Sequence, residues 1–169
     1  MTFAAARVRC HTDAMPIPPF VVELRRMVGT RELWMPAVTA VVVRDDRVLL
    51  TERADNGRWA PVTGILDPGE EPAVGARREA LEETGVEIAV ERLAAVSVSP
   101  RITHVNGDRA VYLDLTFACS WLSGESYAAD DENTDVRWWP LADLPPMAEH
   151  LRARIEAATS GETAPRFAL

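Results

Sequence analysis

The stretch from Gly64 to Val86 constrains this chain most, because a turn-rich loop there runs into a short segment dense in carboxylates. Asp67-Pro68-Gly69 is turn chemistry, Pro72 suits a first helical position, and Gly85 stands where a left-handed helix stop is wanted. These signals bracket a helix over residues 72–84. Glu79, Glu82 and Glu83 stand at helical spacings that put them on one face, while Val74 and Leu81 are expected to turn the other way and pack on a core. Like charges so arranged repel by roughly a few tenths of a kcal/mol per pair, so a positive charge is expected among them. Carboxylate oxygens without Cys or His neighbours suit a hard divalent cation, Mg²⁺ first with Mn²⁺ as its substitute, shared with substrate phosphates. A solvated acidic helix face is the alternative reading.

The spacing itself is more specific than the composition. Gly64, Glu70, Arg78, Glu79, Glu82, Glu83 and Gly85, with the aliphatic Ala80 and Val86, fill the pattern Gly-x5-Glu-x7-Arg-Glu-U-x-Glu-Glu-x-Gly-U, where U is aliphatic. A chance match to the fixed places is on the order of one in a billion per starting point. The segment resembles the Nudix box. Ala80 is smaller than the usual Ile, Leu or Val, which bears on packing, and Val62-Thr63-Gly64 replaces the two glycines that end the approach in many members.

Composition narrows the chemistry around this segment. A chain of 169 residues can bury one proper core, and its net charge of -8 disfavours a nucleic-acid backbone or an anionic membrane as main partner. All 18 basic residues are arginine, which excludes a Schiff base, a pyridoxal anchor and a Walker-type phosphate loop, since each needs a lysine amine. Cys10 and Cys119 are too few for a metal knuckle or a disulfide framework, and Cys119 reads as a buried thiol. No apolar run reaches transmembrane length, and the expectation is a soluble, cytoplasmic protein, while the resemblance implies a small-molecule nucleotide as its partner.

Along the chain, residues 1–18 read as a leader and Phe20 to Val28 as an amphipathic helix that either caps the core or makes a homodimer contact. Ala37–Val43 and Arg47–Arg53 read as a hairpin turning at Asp45-Asp46. Val86–Val90 and Leu93–Val98 read as two short strands, and Asn106-Gly107 as a hairpin turn. Val111 to Trp121 alternates over its whole length, the clearest strand in the sequence. Gly124 to Thr134 is an acidic loop, Val136–Trp139 a strand, 147–158 a final helix and 160–169 a frayed end. The order indicates an α/β layered domain around a mixed sheet. The resemblance implies more, a Nudix-type α/β/α sandwich over residues 36–158, with 1–35 a leader and helix and 159–169 a tail.

The resemblance also implies a reaction, hydrolysis of a diphosphate linkage. Glu82 and Glu83 are then metal ligands, Glu79 a ligand or the base, and Arg78 the group that orients Glu79. Glu70 holds the loop to the helix, and Gly64 lets backbone approach metal or phosphate. A further catalytic carboxylate is expected from the acidic loop, Glu132 before Asp131, against the alternative of a solvated turn. Arg53, Arg58 and Arg101 are candidate clamps for substrate anions or else plain surface charges, Trp59 a candidate for stacking on a base or for core packing, and His104 a residue facing substrate. Pro100, fifteen residues past Gly85, matches a feature of some ADP-ribose-cleaving members. ADP-ribose or a nucleotide sugar is therefore the first expected substrate, a nucleoside triphosphate the second, and a non-catalytic nucleotide sensor the reading from another class.

Overall fold

The computed structural model describes residues 17–168, so most of the expected leader, with Cys10 and His11, lies outside the described residues. Three helices flank one eight-stranded mixed sheet. In chain order these are α1 (Pro19–Val28), β1 (Leu33–Arg44), β2 (Arg47–Arg53), β3 (Trp59–Ala60), β4 (Val62–Ile65) and α2 (Pro72–Thr84). Then come β5 (Glu87–Val98), β6 (Ile102–Thr103), β7 (Arg109–Ser123), β8 (Asn133–Pro140) and α3 (Glu149–Thr159).

The β-branched run of β1 makes it the central strand. It lies parallel to β7 from Leu33 to Val43, and its other edge changes partner along its length. Ala37 to Ala40 pair with β4, whereas only Val43 and Arg44 pair with β2 through the turn at Asp45 and Asp46. Both aspartates have positive φ, 48° and 59°, the backbone that a two-residue hairpin turn demands. Beyond that turn β2 leaves β1, carrying β3 and β8 with it. The sheet is thus split into two parts along β1.

Side chains alternate across the sheet and meet a different helix on each side. Val38, Ala40 and Val42 pack with Phe117 and Cys119 under α2. Val41, Val48 and Leu50 pack with Ile155 of α3, and Met35 and Ala110, on that same face by alternation, pack with Val21 of α1. So α1 closes an apolar patch at the open end of the face, which agrees with the expected core cap, although Met27 is exposed.

Three expectations need correction. Val74 and Leu81 are exposed at 56% and 50%, because α2 turns Gly75, Ala76 and Ala80 to the sheet instead. Small residues let the helix backbone come close: a Cβ on Gly75 would stand 2.4 Å from Leu66 Cδ2. The segments 86–90 and 93–98 form one strand, β5, whose register against β7 shifts between Val90 and Arg92 and again between Leu93 and Ala95. Such shifts break the alternation that a sequence reading follows. The end of the chain is also tied down at one point, since Arg166 exchanges backbone hydrogen bonds with Ala94 and Val96 on the outer edge of β5.

The face of β7 opposite the α2 core is buried as well. Asp114 accepts hydrogen bonds from Thr39 and Thr116, each at 2.7 Å, and pairs with Arg154 of α3 at 3.1 Å. Arg154 also donates to Thr39 at 3.0 Å. This network fastens α3 across β1 and β7.

Candidate active site

The box begins where β4 leaves β1. Leu66 donates its N–H to Pro36 O, and the Asp67–Glu70 turn closes with Glu70 N to Asp67 O at 3.0 Å. Glu70 Oε2 returns to Asp67 N at 3.1 Å, so this side chain belongs to the turn before it meets the helix. Arg78 then reaches back from α2, with Nε to Oε1 and Nη2 to Oε2 of Glu70, both at 2.8 Å. This parallel fork is the strong form of an arginine–carboxylate pair. It holds Glu70 below the usual carboxylate range and raises Arg78 above its ordinary value.

Arg78 serves the carboxylate face of α2 with its remaining donor. Nη1 bonds Glu79 Oε1 at 2.8 Å and Glu82 Oε2 at 3.0 Å. The bidentate contact therefore goes to Glu70, and Glu79 receives one bond. Gly64 makes room for Glu79: a Cβ there would stand 1.9 Å from Glu79 Cδ and 2.1 Å from its Oε1.

The three glutamates of α2 are not equivalent. Glu82 is mostly exposed, Glu79 is largely buried, and Glu83 is buried at 3% exposure. Burial lifts Glu79 to about 7 against the opposing pull of Arg78, and lifts Glu83 well above its ordinary value, with Glu79 and Glu132 adding to it. Glu83 Oε2 accepts from Asn133 Nδ2 at 3.0 Å, while its Oε1 and Asn133 Oδ1 are buried with no hydrogen-bond partner. Among the described residues no group of three Asp, Glu, His or Cys side chains is gathered closely enough to hold a metal ion as it stands. Arg78 engages Glu79 and Glu82, and Asn133 engages half of Glu83. Even so, the donor set fits a hard cation: two buried orphan oxygens and neighbouring carboxylates leave negative charge uncompensated at one place.

The acidic loop is brought here by the end of α2. The last carbonyls of a helix lack intrahelical partners, and the loop supplies them: Tyr127 N bonds Thr84 O and Ala129 N bonds Glu83 O. Gly85, in the left-handed region at φ 69°, lets the chain turn under Tyr127. Asp130 Oδ1 then accepts from Glu132 N at 3.0 Å, and Glu132 lies within electrostatic reach of Glu79, Glu82 and Glu83. Glu132 is partly buried with its pKa raised by that burial, whereas Asp131 is exposed. Glu132 O accepts from Ala54 N, which draws in the β2–β3 turn with Arg53, paired to Asp55 at 3.1 Å.

The other expected substrate residues have contacts and positions of their own. Trp59 meets Trp139 edge to face with ring centres 5.2 Å apart, on the α3 side of the sheet. Arg101 pairs with Glu32 just ahead of β1, and Arg58 is exposed beyond the β2 turn. Cys119 is buried and pushed up to about 12 by that burial, which makes it an inert thiol. Asn133 was missed by the sequence reading, and Asp130, part of the acidic run, was not chosen from it. Their one signal is position, late in an acidic loop that must return to the helix end.

Both the sandwich and this loop-helix are those of a known family. The NUDIX domain model matches residues 33–158, and the chain belongs to that family, a class of pyrophosphohydrolases. Similar proteins include a MutT-like protein of Streptomyces ambofaciens, 38% identical over 74% of this chain and 77% of its own length. An NAD-capped RNA hydrolase, NudC, of Pseudomonas aeruginosa is 29% identical over 77% of this chain, which spans 47% of that relative's length. Among solved structures, a MutT NUDIX hydrolase of Burkholderia pseudomallei is 30% identical with a TM-score of 0.58, over 75% of this chain and 99% of its own. A UDP-X diphosphatase, 24% identical with a TM-score of 0.62 over 82% of this chain and 68% of its own, shares the fold. No helix among the described residues is long and apolar enough to cross a membrane.

Proposed function

We propose that this protein hydrolyses, with Mg²⁺, the diphosphate linkage of a nucleoside diphosphate joined to another group, with ADP-ribose or a nucleotide sugar as first substrate. The observation that carries this reading is the buried Glu83 carboxylate, with one oxygen unpartnered, in reach of Glu79 and Glu132. Glu82, Glu83 and Glu79 would hold the cation. When bound, it polarises the diphosphate and lowers the pKa of a water.

Arg78, anchored by Glu70, sets the direction of Glu79, and Gly64 leaves space for that carboxylate at the sheet edge. Glu79 either completes the ligand set or takes the proton of the attacking water, for which a carboxylate lifted toward neutrality is suited. Glu132, on the acidic loop, is the second carboxylate able to accept that proton. Glu83 is kept in place by Asn133.

Three considerations favour a linked diphosphate over a triphosphate. Pro100 follows Gly85 by fifteen residues, as in some ADP-ribose-cleaving members. The UDP-X diphosphatase and NudC relatives, by name, act on nucleoside diphosphates carrying a second group. A net charge of -8 speaks for the small-molecule form of such a substrate over an RNA body.

The test is product analysis after incubation with Mg²⁺ and ADP-ribose, nucleotide sugars, dinucleoside polyphosphates and nucleoside triphosphates. AMP and ribose phosphate from ADP-ribose are expected, and Glu83→Gln should lose at least a thousandfold in turnover while keeping its fold. Pyrophosphate released only from triphosphates would assign the protein to nucleotide-pool cleaning instead. Tight nucleotide binding without turnover would make it a sensor.

A further inference from the structure

Helix α1 lies outside the residues matched to the family, yet it is bound to the β6–β7 hairpin. Arg25, in its last turn, donates through Nη1 to Gly29 O and Arg31 O at 3.2 and 2.6 Å, and through Nη2 to Arg109 O at 2.8 Å. The same guanidinium faces Asp108 at 3.3 Å, and both side chains are largely buried. Arg109 answers with a bond from Nε to Thr30 O at 3.2 Å. These contacts lock the β6–β7 turn, which closes on itself through His104 N to Asp108 O at 2.8 Å and Gly107 N to His104 O at 2.9 Å.

The locked turn presents a particular pair. His104 Nε2 lies 3.3 Å from Tyr112 Oη, and Tyr112 is held in turn by Ser99 Oγ on its N–H at 2.9 Å. His104 Nδ1 has no hydrogen-bond partner among the described residues. Arg53 and Asp55 lie within electrostatic reach of His104 on one side and of Glu132 on the other. The β2–β3 turn, bonded to Glu132 through Ala54 N, thus has charges that act on both Glu132 and His104.

We propose that His104 and Tyr112 read the nucleobase of the substrate, and that Arg25 of α1 is a positioning residue that holds them in place. Burial lowers the His104 pKa and raises that of Tyr112, so both rings are uncharged at neutral pH. An uncharged imidazole and phenol with an open ring nitrogen match the donor and acceptor edge of a flat heterocycle. A phosphate would demand a cation free to meet it, and the two arginines within reach of the rings, Arg25 and Arg53, face Asp108 and Asp55. The inference rests on the nucleoside diphosphate reading of the carboxylate site.

The experiment is calorimetric binding, with Mg²⁺, of ADP, GDP, UDP, CDP and, as the baseless control, pyrophosphate. The wild-type protein should favour one base by tenfold or more. His104→Ala and Tyr112→Phe should each weaken that nucleotide about tenfold, flatten the preference, and leave pyrophosphate within about twofold. Arg25→Ala should flatten it likewise, and Arg25→Lys, which keeps the charge facing Asp108 without the fork, should restore part of it. A purely structural role would weaken pyrophosphate and nucleotides together. Absence of base preference in the wild type, its survival in both ring variants, or an equal loss for pyrophosphate overturns the assignment. Survival of the preference in a folded Arg25→Ala protein overturns the positioning role, and if that variant unfolds, Arg25→Lys decides. Should no compound be hydrolysed while base preference behaves as stated, the reaction reading falls and this one stands.

Discussion

Replacing Gly64 with alanine tests the site at its tightest point. The added Cβ would stand 1.9 Å from Glu79 Cδ, against an ordinary contact of 3.4 Å or more, so the carboxyl must retreat by about 1.5 Å. It cannot retreat freely, because Arg78 holds its Oε1 at 2.8 Å and is itself clamped to Glu70. Overpacking of this kind costs about 1–3 kcal/mol of stability. Displacing a reacting group by about 1 Å costs on the order of a hundredfold in rate. Gly64→Ala should therefore unfold a few degrees lower and lose about a hundredfold in kcat, with KM changed much less. Steady-state kinetics on the substrate found by product analysis, together with calorimetric melting, would measure both. A folded Gly64→Ala protein with kcat within threefold of wild type would refute the claim that Glu79 must occupy the space beside Gly64.

Further outcomes follow from the same geometry. The folded pKa values of Glu79 and Glu83 lie above the ordinary glutamate value of 4.5, so the folded state binds more protons than the unfolded one. Stability of the metal-free protein should be full below about pH 4.5 as far as these groups are concerned and fall as the pH rises toward 7 and beyond. Added Mg²⁺ should then raise Tm more at pH 8 than at pH 5; equal shifts at both would count against these two carboxylates as the ligands. Arg78→Lys keeps the charge but loses the fork to Glu70, so kcat should fall at least tenfold, and an unchanged kcat would show that the fork does not direct Glu79. Asp114→Ala leaves the buried Arg154 guanidinium without its counter-ion and should cost about 3–5 kcal/mol in denaturant unfolding. Replacing Asp114 and Arg154 together with apolar residues should recover most of that loss.

The sequence is most legible where spacing and backbone chemistry act locally. Pro72 and Gly85 bracket α2 as read, because a first-turn proline and a left-handed stop need no tertiary partner. The Asp45-Asp46 turn and the long β7 are similarly local. Which face α2 buries was not legible: Val74 and Leu81 look like core by hydrophobicity, but close approach selected Gly75, Ala76 and Ala80. Asp114 and Thr116 stand on the more polar side of an alternating strand, and Thr39 with Arg154, forty residues later in the chain than Asp114, makes their burial tolerable. For Trp59 the sequence left base stacking and core packing both open, and the structure packs it edge to face on Trp139. Asn133 carries no pattern at all, since its importance comes from the one carboxylate oxygen it meets.

The backbone bonds between Arg166 and Ala94 and Val96 fall on β5, the last strand of the main sheet. An open strand edge is a template on which another chain can add itself. A purification tag joined after Leu169 leaves that pairing intact, whereas trimming the chain back to the end of α3 would bare the edge and invite self-association. Solubility of a shortened protein thus depends on a few residues far from any chemistry.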